Sequence, residues 1–240
     1  MKDFFDVSAA LNSADGITRF SVHHIAWLIA GAVVCLLLRS VYSRLGTRGR
    51  AILRRTVAFL PPAVELLRTA LFIAAGEYGI GRLPLHLCTM SVYLAAYHAL
   101  FGGELAGQLL YAFGMPGGIC ALVFPDWCAY PPASFLSASS FLLHIFLVSY
   151  PIMLTVGGDI TPDIRRAPLM LGILSAVAMP IFVFDRVTGT NYMFLNYPAP
   201  GSPLEWFSPL GRPGYILGYI PLLVIVWCVI YAPFVVKRRR

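Results

Sequence analysis

Residues 22–55 read VHHIAWLIAGAVVCLLLRSVYSRLGTRGRAILRR. The first half, 22–38, contains no Lys, Arg, Asp or Glu, whereas the second holds Arg39, Arg44, Arg48, Arg50, Arg54 and Arg55. A helix needs about 20 apolar residues to cross the hydrocarbon layer of a bilayer. An apolar run close to that length, followed at once by clustered arginines, is the pattern that the positive-inside bias leaves beside a span. The same pattern repeats along the chain. Read in windows of about 19 residues, the apolar runs are 22–38, 56–75, 83–101, 105–124, 135–156, 168–186 and 215–236.

Composition supports lipid as the solvent. Of the 240 residues, 58% are apolar and only 12% charged, about half the charged share of an ordinary soluble domain. Length limits the chain to seven or eight spans, so the fold class expected is all-α: a seven-transmembrane-helix bundle forming one integral membrane domain over 1–240. With seven spans, one side holds 39–55, the 102–104 turn, 157–167 and the tail from Lys237 to Arg240, with six, no, two and four basic residues. The opposite side holds Lys2, Arg19, Arg82 and Arg212, with Arg186 at a boundary. The arginine-rich side is expected in the cytoplasm, which puts the N-terminus outside and the C-terminus inside, in a multi-pass cell-membrane protein. The net charge of +7 therefore reflects topology and lipid-headgroup contact, and no nucleic-acid partner is expected. Asp3, Asp6 and Asp15 stand where a signal peptide would need basic residues, so no cleavable signal is expected.

The five cysteines do not form a disulfide framework. Cys35, Cys88, Cys120 and Cys228 lie in apolar runs and Cys128 in a predicted loop, so they leave the redox compartment open. Pro61, Pro62, Pro116 and Pro180 interrupt apolar runs, and each removes a backbone donor and should kink its helix. On the external side the 187–214 segment is long for a helix connection and rich in Tyr, Pro and Gly. It is expected to pack over the bundle mouth or lie in the membrane interface.

Ionisable groups inside spans are costly unless paired or wetted, which makes them the informative residues. Glu65 and Arg68 are three apart and share a helical face. They form either a mutual ion pair or a site in which Arg68 holds an anionic headgroup or carboxylate, with Glu65 orienting it. His86 falls at the outer entry of span 3 and His144 near the ninth residue of span 5, so the two are expected to meet in the outer half of the bundle. They serve either as interhelical hydrogen-bonding residues or as an acid–base pair. Cys88 is either an inert small side chain or a nucleophile. It points about 200° away from His86 on an ideal helix, so His144 is the better base for it. Asp126 either orders its loop or contributes to the site. His23 and His24 stand at the outer end of span 1, with at least one facing headgroups. His98 lies about 18 Å along its helix from His86, too far to share a site. No short-spaced ligand motif supports a metal built from His86, His144 and Glu65, and neither metal nor other cofactor is expected.

The strings Leu-Pro-Leu-His-Leu-Cys-Thr-Met (83–90), Leu-Val-Phe-Pro-Asp-Trp (122–127) and Tyr-Pro-Pro-Ala-Ser-Phe (130–135), together with His144 and Gly-Thr-Asn-Tyr-Met-Phe-Leu (189–195), resemble the YwaF family of bacterial integral membrane proteins. A fainter similarity reaches the eukaryotic transmembrane protein 164, a lipid acyltransferase with a cysteine active centre. The resemblance runs from span 1 to the connection between spans 6 and 7, and its first and last motifs are fairly specific. It implies a polytopic helical fold. It also implies acyl transfer or hydrolysis on a lipid, with His86 and His144 matching the relative's histidines and Asn191 its loop asparagine. The relative's Pro-Cys-His motif reads Pro84, Leu85, His86 here, so Leu85 fills the cysteine position. Cys88, three residues on and on the same face, is the candidate substitute. The function expected is a membrane-embedded lipid acyltransferase or acyl hydrolase with a polar site in the outer half of the bundle, Arg68 and Asn191 stabilising an oxyanion or headgroup. The alternative is a non-enzymatic membrane protein that binds or transports a small anionic or amphipathic ligand. Membrane lipids are the expected partners in either case, and the oligomeric state is not readable.

Overall fold

The apolar runs become helices that outlast them at the charged ends. The structure, a computed structural model, describes residues 4–12 and 16–238. Lys2, Asp3, Asp15, Arg239 and Arg240 therefore lie outside the described residues. Seven long helices follow a single-turn helix at Val7–Leu11: α1 Val22–Arg44, α2 Thr47–Ala74, α3 Leu87–Phe101, α4 Glu104–Val123, α5 Phe135–Gly157, α6 Ala167–Thr188 and α7 Tyr219–Arg238. Helix α2 begins nine residues before its apolar window because arginine is a good helix former that a hydropathy window discards. Among the described residues there is no strand, and six helical segments are long and apolar enough to cross a membrane. The remaining apolar helix, α3, has 15 residues.

Local chemistry explains where these helices start and stop. Ser21 and Ser134 cap α1 and α5 by accepting from the N–H groups of His24 and Ser137. Helices α5 and α6 end at Gly158 and Gly189, at φ 79° and 76°, the left-handed conformation that glycine adopts without a Cβ penalty. Pro61 and Pro62 are buried inside α2, and Pro151 and Pro180 sit inside α5 and α6. At Pro116 the preceding residues Leu110–Gly114 adopt a π turn, one way in which a helix absorbs an interruption.

The chain divides into two compact units. The first comprises Met1–Gly79 and Cys88–Ile160. Its centre is α5, against which α1, α2 and α4 pack. Of the best apolar window in α5, 61% is buried, against 6% for α1. Ile29, Leu36 and Leu37 of α1 stand 60%, 58% and 58% exposed, a surface that suits hydrocarbon rather than water. Near one end of α5, Ile17, Leu122, Trp127, Phe141 and Ile145 form a core cluster. The second unit comprises Ile80–Leu87 and Thr161–Arg240. Here α6 and α7 are joined by a folded connection with 3-10 turns at Tyr192–Phe194, Pro203–Leu210 and Gly214–Gly218. Tyr192 and Tyr215 are buried in it, while Trp206 is 76% exposed.

Candidate functional site

In the second unit the polar groups converge on His86. Asp185, in the last turn of α6, is fully buried. Its Oδ1 accepts from the Thr190 hydroxyl at 2.6 Å and the Tyr192 N–H at 3.0 Å, while Oδ2 is buried without a hydrogen-bond partner. Those bonds set the turn that carries Tyr192. The Tyr192 hydroxyl accepts from the Leu83 N–H at 2.7 Å and donates to the Ile80 carbonyl, which ties residues 80–83 to the turn. Tyr192 also meets the His86 ring edge-on, with centroids 5.0 Å apart.

The next two residues are strained. Met193 and Phe194 have φ of 51° and 54°, a region that non-glycine residues avoid at a cost of about 1–3 kcal/mol each. Their carbonyls accept from the hydroxyls of Tyr219 and Tyr215, at 2.8 and 2.7 Å. Held this way, the Met193 N–H points at His86 Nδ1, 3.4 Å away. An Nδ1 that accepts places the proton of the neutral ring on Nε2. Asn191 spends its amide on the same loop: Oδ1 accepts from the N–H groups of Asn196 and Tyr197, and Nδ2 donates to the Tyr197 carbonyl. It shapes the loop that carries the Met193 contact.

The first unit carries the other candidates. His144 is buried on α5, and its Nδ1 lies 2.7 Å from the Ser140 carbonyl. A carbonyl can only accept, so Nδ1 carries the proton and Nε2 is the accepting nitrogen of the neutral ring. Trp127 stacks on this imidazole, with centroids 4.6 Å apart and planes 14° from parallel, and its indole N–H is buried without a partner. Gly118 of α4 allows the close approach of α4 to α5 beside His144, and Gly117 next to it lies against Cys88. A Cβ on Gly118 would come within 3.3 Å of the His144 carbonyl and 2.9 Å of Val148 Cγ2, and one on Gly117 would lie 3.9 Å from Cys88 Sγ. Cys88 and His144 thus flank the same glycine pair. Cys88 is partly buried. Asp126 is exposed beside Trp127 in the loop. Glu65 and Arg68 meet at 3.8 Å, and the guanidinium lies 5.7 Å from the centroid of the Phe72 ring.

Two of the remaining histidines, His24 and His98, have structural partners. His24 Nε2 donates to the Leu122 carbonyl and its Nδ1 accepts from the Phe20 N–H, both at 2.8 Å, so this ring tethers α1 to α4. His23 is exposed. His98 Nδ1 lies 3.0 Å from the Tyr150 hydroxyl. Outside the spans, burial pushes the Cys128 thiol up, with Arg19 opposing it. Among the described residues, no three His, Cys, Asp or Glu side chains gather as metal ligands.

Asp185, Trp127 and the anchoring tyrosines are the residues that sequence reasoning passes over. A signal existed for Asp185, since a carboxylate at the end of an apolar run is expensive. Counting Lys and Arg for topology does not register it. Compared with known proteins, residues 19–231 match the model of the TMEM164 family. No curated protein and no solved structure matches the chain.

Proposed function

Because this chain belongs to the TMEM164 family, we propose that it is a seven-span cell-membrane enzyme, N-terminus outside and C-terminus cytoplasmic, that transfers or hydrolyses the acyl chain of a membrane lipid. The observation that carries this reading is the pairing of His144, with Nδ1 fixed as donor, and the buried, unspent N–H of the stacked Trp127. An acyl transfer needs a proton acceptor and a donor for the oxyanion in one place.

In the proposed reaction the Cys88 sulfur attacks the ester carbonyl, and its proton passes to His144 Nε2. The carbonyl oxygen, now an anion, accepts from the Trp127 N–H. Collapse expels the lipid alcohol, which takes the proton from His144 and leaves a thioester on Cys88. An acceptor hydroxyl, or water in the hydrolytic case, then gives its proton to His144 and attacks the thioester. The acyl chain leaves and the thiol is restored. In the second unit, His86, held by Tyr192 and by the strained turn that Asp185 anchors, is that unit's own acid–base residue. Arg68, oriented by Glu65, takes the headgroup. Asn191 and Asp126 shape the loops that carry His86's hydrogen-bond donor and Trp127.

Replacing His86, His144 and Cys88 individually (His86→Gln, His144→Gln, Cys88→Ser) and profiling cell lipids tests this. General acid–base groups are worth about 10²–10⁴-fold in rate, so each variant is expected to erase the acyl remodelling seen with the parent chain. Lipid profiles unchanged in all three, at intact protein levels, would leave only a protein that binds or moves an amphipathic ligand.

A further inference from the structure

The connection between α1 and α2 is built around Arg50, away from the residues of the proposed reaction. Arg50 Nε donates to the carbonyls of Tyr42 and Leu45 at 3.1 and 2.9 Å. Nη1 donates to Gly157 O at 2.8 Å and Nη2 to Ser43 O at 3.2 Å. This arginine is spent on the ends of α1 and α5, and its charge stays in place as part of the frame.

Beside it lies a pocket of about 320 Å³ lined by Gly46, Thr47, Arg50, Arg54 and Asp159, among others. That is near the lower end of ligand pockets, about 300–1,000 Å³: roomy for a phosphate group and small for an acyl chain. Arg54 meets Asp159 at 3.6 Å, well beyond the length of a charge-assisted hydrogen bond, about 2.7–2.9 Å. The other Asp159 oxygen accepts from the Tyr42 hydroxyl at 2.7 Å. Asp159 is therefore held by Tyr42, whereas Arg54 is held loosely, and the pocket is lined by two guanidiniums and one carboxylate. Helix α2 starts here with Gly46 at its N-cap and no side-chain cap, which adds the positive end of the helix to the same pocket. Arg44, Arg48 and Arg55 are exposed around it, and Val41 and Ile52 are exposed on the adjoining apolar surface.

We propose that this pocket binds a phosphate group, with Arg54 as its principal ligand. The group is either the phosphate of an anionic membrane lipid or a free phosphate monoester. The guanidinium fork matches phosphate oxygens in pairs. The pocket's place, where one span ends and the next begins on the arginine-rich face, is the level at which lipid phosphates lie. Asp159 opposes the anion and tunes the affinity downward.

Binding of short-chain phosphatidic acid, glycerol 3-phosphate and the uncharged diacylglycerol to the full chain in detergent tests this, read as dissociation constants. Phosphatidic acid is expected to saturate and diacylglycerol to leave no saturable signal. Arg54→Gln should weaken phosphatidic acid about tenfold, the loss of one charged hydrogen-bonding partner. Arg55→Gln, outside the pocket, should change it less than about twofold. Asp159→Asn should strengthen it, a gain that a merely damaged fold does not produce. Glycerol 3-phosphate binding within a few-fold of the lipid assigns the site to phosphate monoesters generally, and binding of the lipid alone assigns it to the phosphate of a membrane lipid. Equal losses in Arg54→Gln and Arg55→Gln, weaker binding in Asp159→Asn, or no saturation by either phosphate overturns the proposal.

Discussion

Asp185 and His144 show how single residues divide the work of the two units. Asp185 satisfies two donors with one oxygen and leaves the other buried and unpartnered. Replacing it by alanine strands the Tyr192 N–H, at about 1–3 kcal/mol for a buried unsatisfied group, while the Thr190 hydroxyl keeps Thr188 Oγ1 at 2.8 Å. Asparagine keeps an acceptor at Oδ1 and removes a buried charge. Thermal unfolding in detergent should therefore rank Asp185→Asn between the parent and Asp185→Ala, and equal losses would contradict this account. The histidines were legible in the sequence as costly groups. Their tautomers were not, because these depend on the Ser140 carbonyl and the Met193 N–H. Asn191, read as a candidate oxyanion donor, holds its own loop.

At the scale of elements, close approach of helices controls the first unit. A Cβ on Gly118 would press on Val148 and on the His144 carbonyl. Gly118→Ala should cost about 1–3 kcal/mol as overpacking and shift the unfolding midpoint down. At Gly172 in α6 a Cβ meets open space, so Gly172→Ala should be neutral or stabilising by about 0.5–1 kcal/mol. The opposite ranking in melting experiments would show that α4 and α5 are not held at this distance. Both glycines look alike in the sequence, since each is a small residue within an apolar run. Helix boundaries were legible to a few residues wherever charge marks them. The early start of α2 was not, because six arginines in 39–55 signal a loop to a hydropathy window yet propagate a helix well.

For the whole molecule, the proposed topology places Cys128 outside and Ser43 at the arginine-rich cytoplasmic face. In a variant retaining only Cys128, a membrane-impermeant maleimide should label intact cells. A Ser43→Cys variant without other cysteines should label only after permeabilisation. The pH dependence carries its own sign. Thiolate is the reacting form, and burial holds the Cys128 thiol above its ordinary value. Labelling should thus be slow near neutral pH and continue to accelerate as pH rises past the range where a free cysteine levels off. Labelling of Ser43→Cys in intact cells would reverse the orientation.

The sequence alone determined that the chain is helical and multi-pass. A backbone in hydrocarbon must satisfy its hydrogen bonds within each segment, and apolar run length reports that directly. Which face of each helix turns inward, and so which polar groups meet, was decided only by the tertiary structure. In lipid both faces of a span are apolar, so periodicity does not mark the packed one. The bonds from Asp185 to Tyr192, the stacking of Trp127 on His144 and the Arg54 pocket all come from that packing.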